Sequence, residues 1–508
     1  MRKQTLLAMK LQAIWAILFV TTVLPVMGKI SQIHLSFGST IDIMKVTWST
    51  SAAVMCHAEY WATDGQRMRV EARHSELLTN NWNAMRFIHM AEMLNLSPLQ
   101  NYRYILQCSN ETSEEFSFTT QAQTHDRPVK FLVYGDMGFD KGQKTVEVLK
   151  TEVTTQNYDA VWHIGDISYN LESNGGSVGD LFMELIQPIA AHVPYMTSPG
   201  NHELADSLHQ YRTRFSMPGV DWPMPLDHLW YSYNVGPVHF ISFSSEVYFI
   251  NNAYFVCKQF YWLLDDLTQA NQNRDKQPWI VAMGHRPLYC SNNDADDCTG
   301  RIFGHLVKNG LEDLFYAQGV DLILQAHEHS YERLWPVYKD KVIAKNYNHP
   351  QAPVHIITGA AGSGEGADPI GHRGPWSAFA SAEGSLNSFG RLVVYNSSHL
   401  YFEQVKVKDG QPLDSVWVVQ SHHGPNVPNL NCYTSEAHNS CKCPFPFYYI
   451  TVIIVSAVII LIVISTCIYC CCLWKKKKKP VCFKNCSSNP KPVHARLLDS
   501  DEDEDLII

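Results

Sequence analysis

Residues 129–138 read Val-Lys-Phe-Leu-Val-Tyr-Gly-Asp-Met-Gly. The first six residues form a short apolar run rich in β-branched and aromatic side chains, which predicts a buried strand. The Gly-Asp pair then ends the strand and places a carboxylate just beyond it. The same arrangement of an apolar run followed by a polar residue recurs at 160–164, 193–197, 279–283 and 320–325.

Helical patterns lie between several of these five predicted strands. Residues 143–155 and 180–190 are examples. Strands that alternate with helices predict an α/β domain, in which ligands bind beyond the carboxyl ends of the strands. The residues that follow each strand are therefore the candidate functional residues.

Each predicted strand is followed by at least one side chain that can bind a metal ion. The motifs are Gly135-Asp136, Gly165-Asp166-Ile167-Ser168-Tyr169, Gly200-Asn201-His202-Glu203, Gly284-His285 and Ala326-His327-Glu328-His329. A lone Asp after a strand is more often a helix cap or turn residue, and a lone His is usually a hydrogen-bonded polar group. Five such motifs in series favour a metal site, and nearly all contain a Gly that permits a tight turn.

The donor set favours two ions over one. Two carboxylates, a phenol, an amide oxygen and three imidazoles are too many ligands for a single ion, and they suit two ions that share a carboxylate. His327 and His329 lie two residues apart, so in extended chain both rings project to one face.

These motifs resemble those of the metallophosphoesterase superfamily, and within it the purple acid phosphatases. Many superfamily members have a histidine where Gly138 stands, whereas Tyr169, three residues after Asp166, is typical of the purple branch. The resemblance extends over residues 29–420 and includes Gly359-Ala360-Ala361-Gly362. It is to the large, plant-like type that is also found in animals.

The resemblance implies a fold and a ligand set. A fibronectin-III-like β-sandwich at 29–122, where short strand patterns are indeed present, would precede a four-layer α/β/β/α catalytic domain at 127–420. Each subunit would hold one Fe(III) and one divalent ion, Zn, Fe or Mn. The residues carried over are Asp136, Tyr169 and His329 for Fe(III), Asn201, His285 and His327 for the divalent ion, and Asp166 as the bridge.

The implied activity is that of an acid phosphatase, a hydrolase in which metal-bound hydroxide attacks a phosphate monoester. His202 is the candidate that protonates the leaving group, with Glu203 as its orienting partner, although a structural role for His202 stays open. Three departures from the family pattern are Ala326, Ala282 and the loop at 290–295, which lacks the histidines of the plant enzymes. The substrate contacts of that loop are therefore open.

Two other functions remain as alternatives. A phosphodiesterase or nucleotide pyrophosphatase could use the same site, and a non-catalytic adhesion or receptor ectodomain would need a degenerate one. The large relatives are often homodimers, but no interface is identifiable. Composition excludes a strongly basic nucleic-acid-binding protein, because the net charge of the 508 residues is -9 and the charges are dispersed except near the C-terminus.

The two ends of the chain predict a type I membrane protein of the secretory pathway, at the cell surface or in endosomes or lysosomes. Residues 1–28 resemble a cleaved signal peptide, with an uncleaved anchor as the alternative, and 448–474 form an apolar stretch that ends at five lysines. Residues 421–447 would be a Cys- and Pro-rich stalk and 475–508 a cytoplasmic tail. The acidic tail with Leu506-Ile507 resembles a dileucine signal for a sorting adaptor, with a merely solvated tail as the alternative.

The cysteines and sequons fit the same topology. Eight of the fourteen cysteines precede the predicted span, and an even set suits disulfides, such as Cys56 with Cys108 and Cys290 with Cys298. Cys470, Cys471 and Cys472 are candidates for palmitoylation. Glycosylation sequons lie at Asn95, Asn110 and Asn396.

Overall fold

The computed structural model describes most of the chain between residues 29 and 427. The described ranges are 29–63, 65–77, 86–122, 127–250, 252–293, 306–382, 384, 386–427, 443 and 458–468. The predicted signal peptide at 1–28, the tail at 475–508, and Cys298 lie outside the described residues.

The first domain is a sandwich of two antiparallel sheets. One sheet has the strand order β1-β2-β6-β5 and the other β4-β3-β7-β8, with β9 paired to β7. The strands are Ser31–Phe37 (β1), Met44–Thr50 (β2), Cys56–Ala62 (β3), Met68–Glu71 (β4), Arg73–Leu77 (β5), Arg86–Met93 (β6), Asn101–Cys108 (β7), Glu111–Thr112 (β8) and Phe116–Thr119 (β9). Side chains along β7 alternate between buried and more exposed, as expected of a strand with one face in a core. Cys56 and Cys108 face each other across β3 and β7 and form the predicted disulfide.

In the described residues, the second domain contains two large mixed sheets, two small two-stranded sheets and helices. Its strands are Val129–Tyr134 (β10), Met137–Gly138 (β11), Ala160–Ile164 (β12), Ile167–Ser168 (β13), Tyr195–Ser198 (β14), Tyr231–Val235 (β15), Val238–Ser242 (β16), Trp279–Met283 (β17), Leu322–Gln325 (β18), Tyr331–Leu334 (β19), Val337–Tyr338 (β20), Lys341–Val342 (β21), Val354–Thr358 (β22), Ser377–Ser381 (β23), Ser388–Val394 (β24), His399–Lys406 (β25) and Pro412–Val419 (β26). Its helices are Phe139–Thr155 (α1), Ser177–Ala190 (α2), Ala205–Arg214 (α3), Ala253–Gln272 (α4) and Leu306–Ala317 (α5).

The five predicted strands are all present and are shared between the two sheets. The first sheet has the order β14-β12-β10-β24-β25-β26, and the second has the order β15-β16-β17-β18-β22-β19-β23. Strands β10, β12 and β14 run parallel in the first sheet, and β17 and β18 run parallel in the second. The predicted mixed α/β architecture is confirmed.

The two sheets pack face to face through aromatic side chains. The ring of Phe240 on β16 lies 4.8 Å from that of Phe131 on β10 and 4.1 Å from that of Trp162 on β12. On the outer side of the first sheet, Glu152 of α1 pairs with Arg391 of β24 at 2.6 Å. On the second sheet, Asp266 of α4 lies 2.8 Å from His239 of β16. The layers therefore follow the order helix, sheet, sheet, helix.

The segment after β26 contacts the second domain where it is described. His423, within the predicted stalk, lies 3.2 Å from Asp321. Cys443 forms a disulfide with Cys257 of α4, a pairing that the sequence did not predict. Cys290 is also disulfide-bonded, but its predicted partner Cys298 is not among the described residues.

Residues 458–468 are helical and lie within the predicted membrane span at 448–474, most of which is outside the described residues. Within the part of the chain that the structure describes, we find no helix with the length and apolar character needed to cross a membrane.

Candidate metal centre

The ends of strands from both sheets bring the predicted metal-binding side chains together. Asp136, Asp166 and Asn201 follow β10, β12 and β14 of the first sheet. His285 follows β17, and His327 and His329 follow β18 of the second sheet. The side chains of Asp136, Asp166 and His285 are almost fully buried, and those of His327 and His329 are buried as well.

One group of ligand atoms surrounds His285. Its Nε2 lies 3.0 Å from Asn201 Oδ1, 3.2 Å from His327 Nδ1 and 3.3 Å from Asp166 Oδ2. The ligand atoms of Asp166, His285 and His327 all lie within 4.8 Å of one another.

A second group lies on the other side of Asp166. Ligand atoms of Asp136, Asp166 and His329 lie within 4.8 Å of one another. Tyr169 Oη is 2.6 Å from His329 Nε2 and 3.4 Å from Asp136 Oδ1. The structure therefore brings all seven predicted ligands together, and Asp166 belongs to both groups.

The hydrogen bonding of His285 fits a bound cation. Its Nδ1–H donates to the backbone carbonyl of Ile164 at 2.9 Å, which leaves Nε2 as the ring nitrogen that can bind a metal ion. That nitrogen faces Asp166 Oδ2 and Asn201 Oδ1, two oxygens that can bind a metal ion as well. A cation among these atoms would convert their mutual repulsion into coordination.

Four of the predicted ligands have a backbone in the left-handed region, which is unfavourable for residues other than glycine. Asp136, Asp166, Tyr169 and His327 have φ values of 58°, 54°, 57° and 70°. Each such residue costs about 1–3 kcal/mol, and such residues concentrate at functional sites. The sequence indicated that neighbouring glycines would take up the tight turns; Gly165 does so with a φ of 74°, and the four ligands have positive φ values as well.

Glycine is required here mainly for close approach. A Cβ atom on Gly200 would lie 2.6 Å from the backbone nitrogen of Asp166 and would overlap its carboxylate. Gly165 both approaches His285 closely and has a φ of 74°. Any larger residue at position 200 would displace the shared carboxylate.

The pKa shifts follow from burial of the site. Burial and the charge of Asp166 raise the pKa of Asp136 well above its usual range, and burial with the charge of Asp136 does the same for Tyr169. Burial lowers the pKa of His329 to about 4, so its ring is neutral at mildly acidic pH and can bind a metal ion. Bound cations would instead favour the ionised carboxylate and phenolate.

Glu203 does not orient His202, so the expected pairing is wrong. Its carboxylate is buried and accepts backbone N–H bonds from Asp166 at 2.9 Å, Ile167 at 2.9 Å and Gly200 at 2.8 Å. Glu203 therefore fixes the turn that carries Asp166.

His202 contacts Asp166 and two residues that were not predicted from the sequence, Asn170 and Glu365. Its Nδ1 lies 2.9 Å from Asn170 Oδ1, and its Nε2 lies 3.6 Å from Glu365 and 3.9 Å from Asp166. The backbone N–H of His202 donates to Asp166 Oδ1 at 3.0 Å. Asn170 directly follows the predicted ligand Tyr169, so its position in the sequence could have indicated a place in the site. Glu365 is distant in sequence from the motifs that follow the strands.

The loop that lacks the plant-type histidines is described only up to residue 293. Asn292 forms an isolated bridge with Ile370, which brings the segment after Gly362 against this loop. Residues 294–305 lie outside the described residues, so the substrate contacts of the loop stay open.

Three family models match the chain. They are described as "Purple acid Phosphatase, N-terminal domain" at residues 30–120, "Calcineurin-like phosphoesterase" at 129–331 and "Iron/zinc purple acid phosphatase-like protein C" at 352–415. Acid phosphatase type 7 of Danio rerio is 42% identical over 425 residues, which cover 79% of this chain and 94% of the relative. The chain belongs to the purple acid phosphatase family. Acid phosphatase type 7 of Homo sapiens is 40% identical over 77% of this chain and 91% of the relative.

A solved member of the family shares the fold. The purple acid phosphatase PPD1 from yellow lupin (Lupinus luteus) seeds aligns with a TM-score of 0.65 and 24% identity, over 77% of this chain and 75% of the lupin chain. At this identity the likeness shows the fold alone. The family membership rests on the sequence matches and agrees with the seven ligand positions of the site.

Replacement of Glu203 by Gln tests the origin of the geometry at Asp166. The two carboxylate oxygens accept hydrogen bonds from three backbone N–H groups. In either orientation of the Gln amide, its NH2 group would face at least one of these N–H donors, and that hydrogen bond would be lost. We expect metal content and turnover to fall by about 10-fold or more, measured by elemental analysis and initial rates. Glu147→Gln, on the exposed face of α1, is the matched control. Wild-type metal content and rate in Glu203→Gln would contradict this role.

Proposed function

We propose that this chain hydrolyses phosphate monoesters at two metal ions that share Asp166. The observation that carries the proposal is the membership of Asp166 in two groups of ligand atoms, each spanning no more than 4.8 Å. Seven donors converge there, which is more than one ion uses. The vertebrate relatives named acid phosphatase type 7 support the same reaction.

The donors fit two different ions. Asp136, Tyr169 and His329 would hold Fe(III), because a trivalent ion prefers carboxylate and phenolate oxygens. Asn201, His285 and His327 would hold a divalent ion, Zn, Fe or Mn. When bound, the two ions would bind phosphoryl oxygens, offset the charge that builds up during in-line displacement and lower the pKa of water.

His202 is placed to serve the leaving group. Asn170 holds its Nδ1, and the ring Nε2 is directed toward the side of Asp166 where Glu365 lies. The side chain is 17% exposed, so a bound ester can reach it. We assign His202 the protonation of the leaving alkoxide.

The enzyme is further proposed to be a membrane-anchored glycoprotein of the secretory pathway. The disulfides Cys56–Cys108 and Cys257–Cys443 support an oxidising compartment. The three sequon residues, Asn95, Asn110 and Asn396, are exposed and therefore accessible to glycosylation. The apolar stretch at 448–474, followed by lysines, supports an anchor with a cytoplasmic tail.

A panel of esters tests the reaction and the role of His202. The full-length protein should hydrolyse 4-nitrophenyl phosphate and phenyl phosphate much faster than bis(4-nitrophenyl) phosphate. Asn201→Ala should be inactive and should lose divalent metal. His202→Ala should keep both metals and lose about 100-fold or more on phenyl phosphate, but less on 4-nitrophenyl phosphate, whose leaving group needs no proton.

Faster hydrolysis of the diester would replace the monoesterase proposal with a phosphodiesterase. A protein without bound metal and without activity would favour the adhesion or receptor alternative. Equal losses on both monoesters in His202→Ala would remove the proton-donor role and leave the reaction itself in place.

Tyr169→Phe tests the assignment of Fe(III). A phenolate bound to Fe(III) absorbs visible light, so the wild-type protein should be coloured and contain iron. The substitution nearly preserves volume and removes only the hydroxyl, so the fold and much of the metal should remain while the colour is lost. Tyr158→Phe is the control: it removes a phenol hydroxyl that donates a hydrogen bond to Glu152, and the protein should stay coloured. A colourless, iron-free, active wild-type protein would refute iron and leave a two-metal phosphatase.

Replacement of Leu506 and Ile507 by Ala tests the proposed sorting signal. If the tail recruits a sorting adaptor, the variant should accumulate at the cell surface, as measured by surface labelling of intact cells. Ile508→Ala, outside the pair, is the control and should match the wild type. Unchanged distribution of the double variant would leave only a solvated acidic tail.

A further inference from the structure

Asp368 makes three contacts with the ligand His329. The backbone N–H of His329 donates to Asp368 Oδ2 at 2.6 Å, and the backbone N–H of Asp368 donates to the carbonyl of His329 at 3.2 Å. The same carboxylate oxygen lies 3.4 Å from Nδ1 of the His329 ring. Asp368 therefore contacts both the backbone and the side chain of one ligand.

The two ring nitrogens of His329 have separate surroundings. Nε2 faces Tyr169 and Asp136, the other members of its ligand group. Nδ1 faces Asp368 and the hydroxyl of Ser363, which lies 3.1 Å away. In metal sites, the partner of the outer ring nitrogen fixes the orientation of the ligating nitrogen.

Asp368 is itself anchored to the loop at 290–293. Asn292 Nδ2 donates to the carbonyl of Asp368 at 3.2 Å and to Ser330 Oγ at 3.1 Å. Ser330 directly follows His329, so Asn292 holds both sides of the contact between Asp368 and His329. The side chain of Asn292 is buried, which excludes competition from water.

We propose that Asp368 is a positioning residue. It holds Nε2 of His329 toward the metal ion that Tyr169 and Asp136 would also bind. The inference rests on the proposed two-metal function, because it concerns one ligand of that site. Asp368 acts through His329, with which it makes backbone and side-chain contacts. Its partner Asn292 supports the same geometry from the loop whose family histidines are missing.

A merely structural role would make different predictions. If Asp368 only attached residues 363–374 to the domain, its removal would lower stability without a selective effect on one metal. If Ser363 alone oriented the ring, Ser363→Ala would reproduce the effect and Asp368 variants would not. Metal release and the visible spectrum separate these cases from the proposal.

The experiment uses the full-length metal-loaded protein and the variants Asp368→Ala, Asp368→Asn, Asn292→Ala and Ser363→Ala. Release of each metal into excess EDTA is followed by elemental analysis, together with the visible band and the unfolding midpoint. Asp368→Ala should release the metal bound by Tyr169 and His329 about 10–100-fold faster and shift the band. Asp368→Asn keeps an acceptor oxygen and should lie between Asp368→Ala and the wild type, and Asn292→Ala should change in the same direction. Asp409→Asn, at an exposed turn, should match the wild type.

If Asp368→Ala releases metal at the same rate as the wild type and its visible band is unchanged, the inference is overturned. The proposed function would then still stand on the metal content and activity of the wild-type protein. If Asp368→Ala fails to fold, Asp368→Asn and Asn292→Ala decide by the same measurements at an unchanged unfolding midpoint. If the wild type contains no iron, the release of whichever metal occupies that side is compared instead. A wild type without any metal would refute both proposals.

Discussion

Asp166 is the carboxylate on which the geometry of the site depends. It belongs to both groups of ligand atoms, it has a left-handed backbone, and it lies too close to Gly200 to allow any side chain there. Two buried carboxylates and three buried imidazoles lie together around it, an arrangement that is costly without compensating positive charge. The surrounding structure therefore holds the ligands in a geometry that bound cations would stabilise. Glu203 contributes by accepting backbone N–H bonds from the turn on which Asp166 lies.

The two packed sheets hold the strained turns of the site in place. Six of the predicted ligands follow strands of the two large sheets, and Tyr169 follows β13, which pairs with β11 in a two-stranded sheet. Phe240 packs the two large sheets against each other. Backbone strain at Asp136, Asp166, Tyr169 and His327 persists because strands and buried hydrogen bonds determine the turns from both sides. Both sheets contribute ligands, so the packing between them sets the distance between His285 and Asp166.

The sequence predicted the strands because they depend on local apolar patterns, and the structure brings together the seven side chains that the motifs and the family resemblance named as metal ligands. Apolar runs end at polar residues, and β10, β12 and β17 have the bounds that those runs indicate. The contacts that the sequence did not predict join residues distant along the chain. Glu365 beside His202 and Asp368 beside His329 come from a segment without a regular sequence pattern. Glu203 accepts hydrogen bonds from backbone N–H groups, which every residue except proline has, so no residue type in the sequence indicates its partners. The pairing of Cys257 with Cys443 also joins residues distant along the chain. It was open because an even number of cysteines allows many different pairings.

That disulfide has a consequence for release of the catalytic domain by proteolysis. Cys257 lies on α4 inside the domain, and Cys443 lies 186 residues further along the chain. A protease that cuts between residues 427 and 443 would divide the polypeptide, but the two fragments would stay covalently joined through the sulfur atoms. Separation of the two fragments would then require reduction of this bond as well as cleavage. The disulfide thus makes the outcome of such a cut depend on the redox state of the surroundings.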